Sequence, residues 1–137
     1  YREIVFCGLG EPTVRLDALL AIAAELKKQG ARVRVNTDGL ASLREGRDVT
    51  PELAGVVDSL SISMNAQDEA TYILHTRPKK EGAFAAMLEF ARHAHEQGIE
   101  VTLTAIDGLE GVDIAACEHI ARDMGVKFRR RVMDVVG

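Results

Sequence analysis

Between Glu3 and Met133 the hydrophobic period of this sequence switches repeatedly between 2 and 3.6, with gaps of only a few residues. Period-2 or continuous apolar runs predict strands over Glu3–Gly8, Arg32–Thr37, Ser59–Asn65, Glu100–Ile106 and Val126–Met133. Helical spacing places Leu16, Leu19, Leu20, Ala23 and Leu26 on one face of Arg15–Gln29. It does the same for Phe84, Met87, Leu88, Ala91 and Ala94 within Gly82–Gln97, and Asp113–Met124 reads as a further helix. Gly30, Gly98 and Gly125 follow these helices and supply left-handed C-terminal positions. Thr50-Pro51-Glu52-Leu53 reads as another helix start, with Thr50 as N-cap and Pro51 at the first helical position. The order is βαβαβαβαβ, which demands parallel strands joined by right-handed crossovers. A chain of 137 residues is expected to make one domain, and 47% apolar residues suffice for its core. With no Trp and 4% aromatics, that core must be aliphatic. Two segments are loose in pattern, Leu43–Val49 and Gln67–Lys80, and either could rim a site at the strand ends.

Composition removes several function classes. A net charge of −4 argues against general electrostatic binding of nucleic acid or of an anionic membrane. No run approaches the ~18 apolar residues of a membrane-spanning helix. Cys7 and Cys117 sit in unrelated contexts, read as inert core thiols, and suggest no disulfide framework. A reducing cytoplasmic location is the expectation. His75, His93, His95 and His119 have no partners at metal-ligand spacing.

The strands carry polarity on one side. Ser61, Ser63 and Asn65 alternate with Leu60, Ile62 and Met64, while Arg34, Asn36 and Asp38 alternate with Val33, Val35 and Thr37. Thr102 and Thr104 alternate with Val101, Leu103 and Ala105. Strands covered by helices on both faces read as nearly continuous apolar runs, and closed barrels fill with branched apolar side chains. These strands fit a curved, incomplete barrel with helices on the convex side and a polar concave side that holds a ligand. An ordinary flat Rossmann-like sheet with a few tolerated hydroxyls is the competing reading.

Ligands of parallel α/β proteins bind at the carboxyl ends of strands. Here those ends read Gly8-Leu9-Gly10-Glu11-Pro12, Thr37-Asp38-Gly39, Ser61-x-Ser63-x-Asn65 and Ile106-Asp107-Gly108. In that order they resemble the radical S-adenosylmethionine (SAM) superfamily, over nearly the whole chain. Asp107-Gly108-Leu109-Glu110-Gly111 and Val33–Gly39 look most like the subgroup associated with TatD-type nucleases. The resemblance implies an open (β/α)6-type partial TIM barrel, here truncated to about strands 2–6. It also implies one domain over residues 1–137 that lacks the first strand and cluster loop.

Carried over by position, Gly8, Gly10 and Glu11 match the motif that meets the ammonium of the methionine moiety. Thr37 and Asp38 match the third-strand turn, where Asp replaces the usual Asn and loses a donor. Ser61, Ser63 and Asn65 match the strand that contacts the ribose hydroxyls and methionine carboxylate, and Ile106 and Asp107 the motif that packs on adenine. The family's [4Fe–4S] cluster is held by CxxxCxxC, which this chain does not contain. The implied function is the SAM-binding part of a core that cleaves SAM reductively to a 5′-deoxyadenosyl radical, inactive as this fragment alone.

Other readings stand beside these. Glu11 also suits the start of a helix, where the dipole favours an acid, and Ser61 and Ser63 could bond to neighbouring strands. Arg129-Arg130-Arg131 could guard a sheet edge or hold a substrate carboxylate or phosphate. The whole chain could be a cluster-free module that binds a nucleotide or a phosphorylated small molecule. An exposed edge at Ile4–Cys7 predicts an edge-paired homo-oligomer. The substrate is unspecified by any residue pattern.

Overall fold

The computed structural model describes residues 2–7 and 10–132. Five strands form one all-parallel sheet: β1 (Glu3–Phe6), β2 (Arg32–Thr37), β3 (Ser59–Ser63), β4 (Glu100–Asp107) and β5 (Lys127–Val132). Their spatial order equals their chain order. Right-handed crossovers that always advance in one direction put every helix on the same face of a sheet. A doubly wound sheet must instead reverse its order at a switch point. The architecture is therefore an open α/β sheet of the partial-barrel kind, and the flat Rossmann-like alternative is set aside.

The helices are α1 (Leu16–Lys28), α2 (Ala41–Glu45), α3 (Thr50–Ala54), α4 (Glu69–Thr76), α5 (Ala83–Glu96) and α6 (Ile114–Met124). A 3-10 turn, Pro12–Arg15, leads into α1. The core lies between sheet and helices. Val33, Val35, Leu60, Ile62, Leu103 and Ala105 are buried against Ala23, Leu53, Met87, Phe90, Cys117 and Ala121. Tyr72 of α4 is also buried and lies against Phe84 with ring centroids 5.4 Å apart. Burial pushes the Tyr72 phenol up to about 12, with the Asp38 carboxylate adding to the shift.

Several boundaries differ from the sequence expectations. α4 occupies most of the segment read as loose, and α2 takes the start of the other. Both are short, so neither shows a long apolar stripe. Asp68 caps α4 by accepting from Thr71 N at 2.8 Å. Thr50 is the first residue of α3 and not its cap. Asp48 accepts from both Thr50 N (2.9 Å) and Thr50 Oγ1 (2.7 Å). β3 stops at Ser63 because Asn65 takes a left-handed backbone (φ 67°), which Asn tolerates better than most residues. Strand alternation consequently no longer fixes the direction of its side chain. Cys7 lies one residue beyond β1 and is exposed, so it is not a core thiol. Cys117 is buried, and desolvation pushes its thiol up to about 11, with Asp113 and Asp68 contributing. Gly8, at the end of the first expected strand, and Met133, at the end of the last, lie outside the described residues.

Candidate S-adenosylmethionine site at the strand ends

The register fixes which side chains share the helix-free face. Asn36, Ser61, Thr102 and Lys127 are neighbours across β2, β3, β4 and β5. One pleat further on, Ser63, Thr104 and Arg129 form the next row, and Ile106 and Arg131 the one after. Ser61 and Ser63 are half-buried, and neither hydroxyl bonds a protein group among the described residues. The cross-strand role considered for them is instead taken by Thr104, whose Oγ1 donates to Ile62 O at 3.4 Å. Of the three arginines, Arg129 and Arg131 share the polar face. Arg130 lies on the other face with Asp107, Nη1 to Oδ2 at 3.5 Å.

Glu11 organises a second part of the site. It caps the 3-10 turn, and its side chain is 16% exposed. Oε2 accepts from Thr13 N (3.1 Å), Thr13 Oγ1 (2.6 Å) and Thr37 Oγ1 (2.6 Å). Oε1 accepts from Asp38 N at 2.6 Å. Each carboxylate oxygen offers about two acceptor positions; Oε2 is saturated, and Oε1, with one donor, keeps one position for a further donor. The helix-start reading of Glu11 is therefore correct as far as it goes, and it leaves one direction open.

Thr37 and Asp38 join the same network. Gly39 N donates to Thr37 Oγ1 at 3.1 Å, and Leu40 N donates to Asp38 Oδ1 at 2.9 Å. Arg44 grips Asp38 through both guanidinium nitrogens (2.9 and 3.2 Å) and donates to Thr13 Oγ1 at 2.6 Å. Thr13, after a proline in a turn, carries no site signal in the sequence; Arg44 lies in Leu43–Val49, a segment expected to be able to rim a site, but nothing in its pattern singles out Arg44. Gly39 has φ +75°, and a Cβ there would come within 2.8 Å of Ile62 Cγ2 and 3.0 Å of Met87 Cγ. Both the backbone and the packing therefore require glycine at this turn.

The structure thus brings Glu11, Thr37 and Asp38 into one hydrogen-bonded corner. It places Ser61 and Ser63 two strands in from the β1 edge, and Ile106 and Asp107 at the end of the next strand. Gly10 is exposed, and a Cβ added there would meet nothing within 4 Å. Asn65 follows β3 and donates from its backbone N to Thr104 O at 3.2 Å.

The Radical SAM superfamily profile matches residues 1–124. The chain belongs to the radical SAM superfamily. Solved structures agree on the fold. A domain of pyruvate-formate lyase-activating enzyme from Bacteroides vulgatus ATCC 8482 is similar at 17% identity and TM-score 0.63, over 93% of this chain and 97% of that one. TYW1, solved with a lysine-pyruvate adduct bound, is similar at 17% identity and TM-score 0.74, over 98% of this chain and 43% of that one. No curated protein matches the chain significantly.

Radical SAM enzymes in general use SAM and a [4Fe–4S] cluster. The residues present do not fit a cluster. The chain has two cysteines, one exposed and one buried, and no group of three His, Cys, Asp or Glu side chains gathers among the described residues. They do fit SAM, whose ribose, carboxylate and ammonium need the unclaimed hydroxyls and the spare acceptor just described. Among the described residues no helix is long and apolar enough to cross a membrane.

Proposed function

We propose that the chain supplies the SAM-binding surface of a radical SAM core. The observation that carries this reading is the pair of half-buried, unclaimed hydroxyls at Ser61 and Ser63, on a polar face that no helix covers. In this reading Ser61 and Ser63, helped by the Asn65 amide, hold the ribose and the methionine carboxylate. Gly10 and Glu11 receive the ammonium, and Gly8, matched by the same motif, lies outside the described residues. Thr37 and Asp38 fix the Glu11 carboxylate, and Ile106 and Asp107 flank the adenine. When SAM is bound together with a reduced [4Fe–4S] cluster, it supplies a 5′-deoxyadenosyl radical. With only two cysteines, far apart in sequence, this chain alone does not hold that cluster and is inactive by itself. The sequence pattern of Val33–Gly39 and Asp107–Gly111 supports placement in the TatD-associated subgroup. The two free thiols support a cytoplasmic location.

The network around Glu11 changes which variant tests the reading best. Glu11→Gln would disturb four internal hydrogen bonds as well as ligand contact, so a loss of binding would be ambiguous. Ser61 and Ser63 bond no other group through their hydroxyls among the described residues. The double variant Ser61→Ala/Ser63→Ala should keep its unfolding midpoint and lose about tenfold or more in SAM affinity by calorimetry, on the scale of one or two neutral hydrogen bonds. Unchanged affinity would remove these serines from the site. No SAM binding by the parent chain would leave the cluster-free nucleotide or phosphate-ester module as the better reading.

A further inference from the structure

The two segments without clear periodicity meet at a cavity of about 340 Å³ beside the Glu11 corner. Arg44 of α2 and the run Thr76–Lys80 after α4 both line it. Its apolar wall comes from Val14, Leu40, Leu43 and Ala83, and its cations are Arg44, Arg77, Lys79 and Lys80. Only Glu11 and Asp38 bring negative charge. Arg44 is committed to Asp38 and lies 3.9 Å from Glu11. Arg77, Lys79 and Lys80 make no ion pair among the described residues, and Lys80 reaches only the Leu43 carbonyl, at 3.4 Å. Glu69 and Glu81 line the neighbouring hollow that shares these cations, yet neither pairs with them among the described residues.

Two further observations point the same way. Arg44 Nε and Thr76 Oγ1, both on lining residues, are buried without a hydrogen-bond partner among the described residues. Such atoms are rare in folded proteins and call for an explanation, an unseen ligand or ion among them. Arg77 is the left-handed C-cap of α4 (φ 50°), its N–H returning to Ile73 O at 3.0 Å, so the helix end fixes a cation at this mouth.

We propose that this cavity binds a small organic anion: a phosphate monoester or carboxylate attached to an apolar body. Arg77, Lys79 and Lys80 take the anionic head, and Val14, Leu40, Leu43 and Ala83 take the body. The volume suits a ligand at the small end of the usual range. The site goes beyond the proposed SAM surface. It touches that surface only through Glu11 and Asp38, so its ligand would sit next to the corner without occupying the polar face.

The full chain is titrated with phenyl phosphate, phenylacetate and inorganic phosphate, with amide chemical shifts followed by NMR. Saturable shifts should concentrate in residues 38–44 and 76–83. Phenyl phosphate or phenylacetate should bind more tightly than inorganic phosphate, and the tighter of the two identifies the headgroup. Lys79→Ala/Lys80→Ala should weaken that binding about tenfold, in line with loss of charge-assisted contacts. Val14→Asp, at a residue 59% exposed and therefore tolerant, should weaken it independently by charging the apolar wall. The proposal is overturned if inorganic phosphate binds equally well, if both variants bind like the parent, or if the shifts gather at Arg129–Arg131. SAM affinity of the Lys79→Ala/Lys80→Ala variant reads the polar face separately, so the two proposals fail by different signals.

Discussion

The two ends of the polar sheet face are built on opposite plans. At the amino ends of the strands, charges are spent on one another. Arg32 bonds Glu100 at 2.7 Å and lies 3.5 Å from Glu3, Arg34 approaches Glu3 at 3.7 Å, and Lys127, which opens β5 in the row of Ser61, turns back to pair with Glu100. At the carboxyl ends, Ser61 and Ser63 are unclaimed, Glu11 keeps one acceptor position, and Arg129 and Arg131 have no ion pair among the described residues. Cavity size and free bonding capacity point to different ends. A hollow of about 570 Å³ opens at the amino ends, lined by Asp58, His95, Glu100 and Lys127 among others. Its charged groups are largely partnered, whereas those at the carboxyl ends leave bonding capacity for a ligand. In the proposed reading the contrast gives stability to one end and recognition to the other.

That division can be broken first at Gly39, where recognition and folding meet. Gly39→Ala combines a left-handed backbone with overpacking against Ile62 and Met87. The expected loss is about 2–5 kcal/mol of unfolding free energy, read by urea denaturation. A loss under about 0.5 kcal/mol would mean the turn can relax and is not the rigid base of the corner.

The next largest effect belongs to Asp58, at the amino end. Its Oδ2 accepts from Val33 N at 2.7 Å, and Lys27 Nζ donates to both oxygens at 2.8 and 3.0 Å, tying α1 to the sheet. Burial pushes this carboxyl upward, but Lys27, the Val33 amide and Arg32 outweigh it, so the net shift is downward. A carboxyl whose folded pKa is depressed contributes its stability above its unfolded pKa of 3.8 and loses it as pH falls through the folded value. Asp58→Asn should therefore cost about 1–2 kcal/mol near neutral pH, discounted for a pair that is partly solvated. The difference from the parent should shrink below about pH 4 as the parent carboxyl protonates. A pH-independent difference would assign the loss to packing.

Most of the fold was legible because it depends on period and punctuation. Every strand showed alternation or a short apolar run, and glycines closed the longer helices. The polar face was legible for the same reason, since alternation in Arg32–Thr37 and Ser59–Ser63 fixes direction without any tertiary knowledge. Short helices were not legible. α2 has five residues and α4 eight, too few turns to repeat an apolar face, and Tyr72 was the main buried anchor of α4. The Glu11 corner was half legible. Its motif marked Glu11, Thr37 and Asp38, but the Arg44 clamp spans 31 residues to Thr13 and follows from how β1 and β2 lie side by side. Asn65 misled because a left-handed residue can end a strand without a glycine or proline to announce it.

The smallest effect gives the sharpest comparison. Glu100→Gln removes the acid shared by Arg32 and Lys127, whose bonds, Lys127 first, hold the Glu100 carboxyl below its ordinary range. All three groups are substantially solvated, so ordering and screening offset most of the attraction, and the expected cost is only about 0–1 kcal/mol. It should fall further in high salt. SAM affinity should be unchanged, because Glu100 lies one pleat below the Ser61 row and two below the Ser63 row, and its bonds go to Arg32 and Lys127 and to neither serine. Set beside Ser61→Ala/Ser63→Ala, this makes a crossed pair: a small salt-dependent stability loss without a binding loss at one end, and the reverse at the other. If Glu100→Gln weakens SAM binding as much as the serine pair does, the face acts as one electrostatic unit and the division between its ends is wrong.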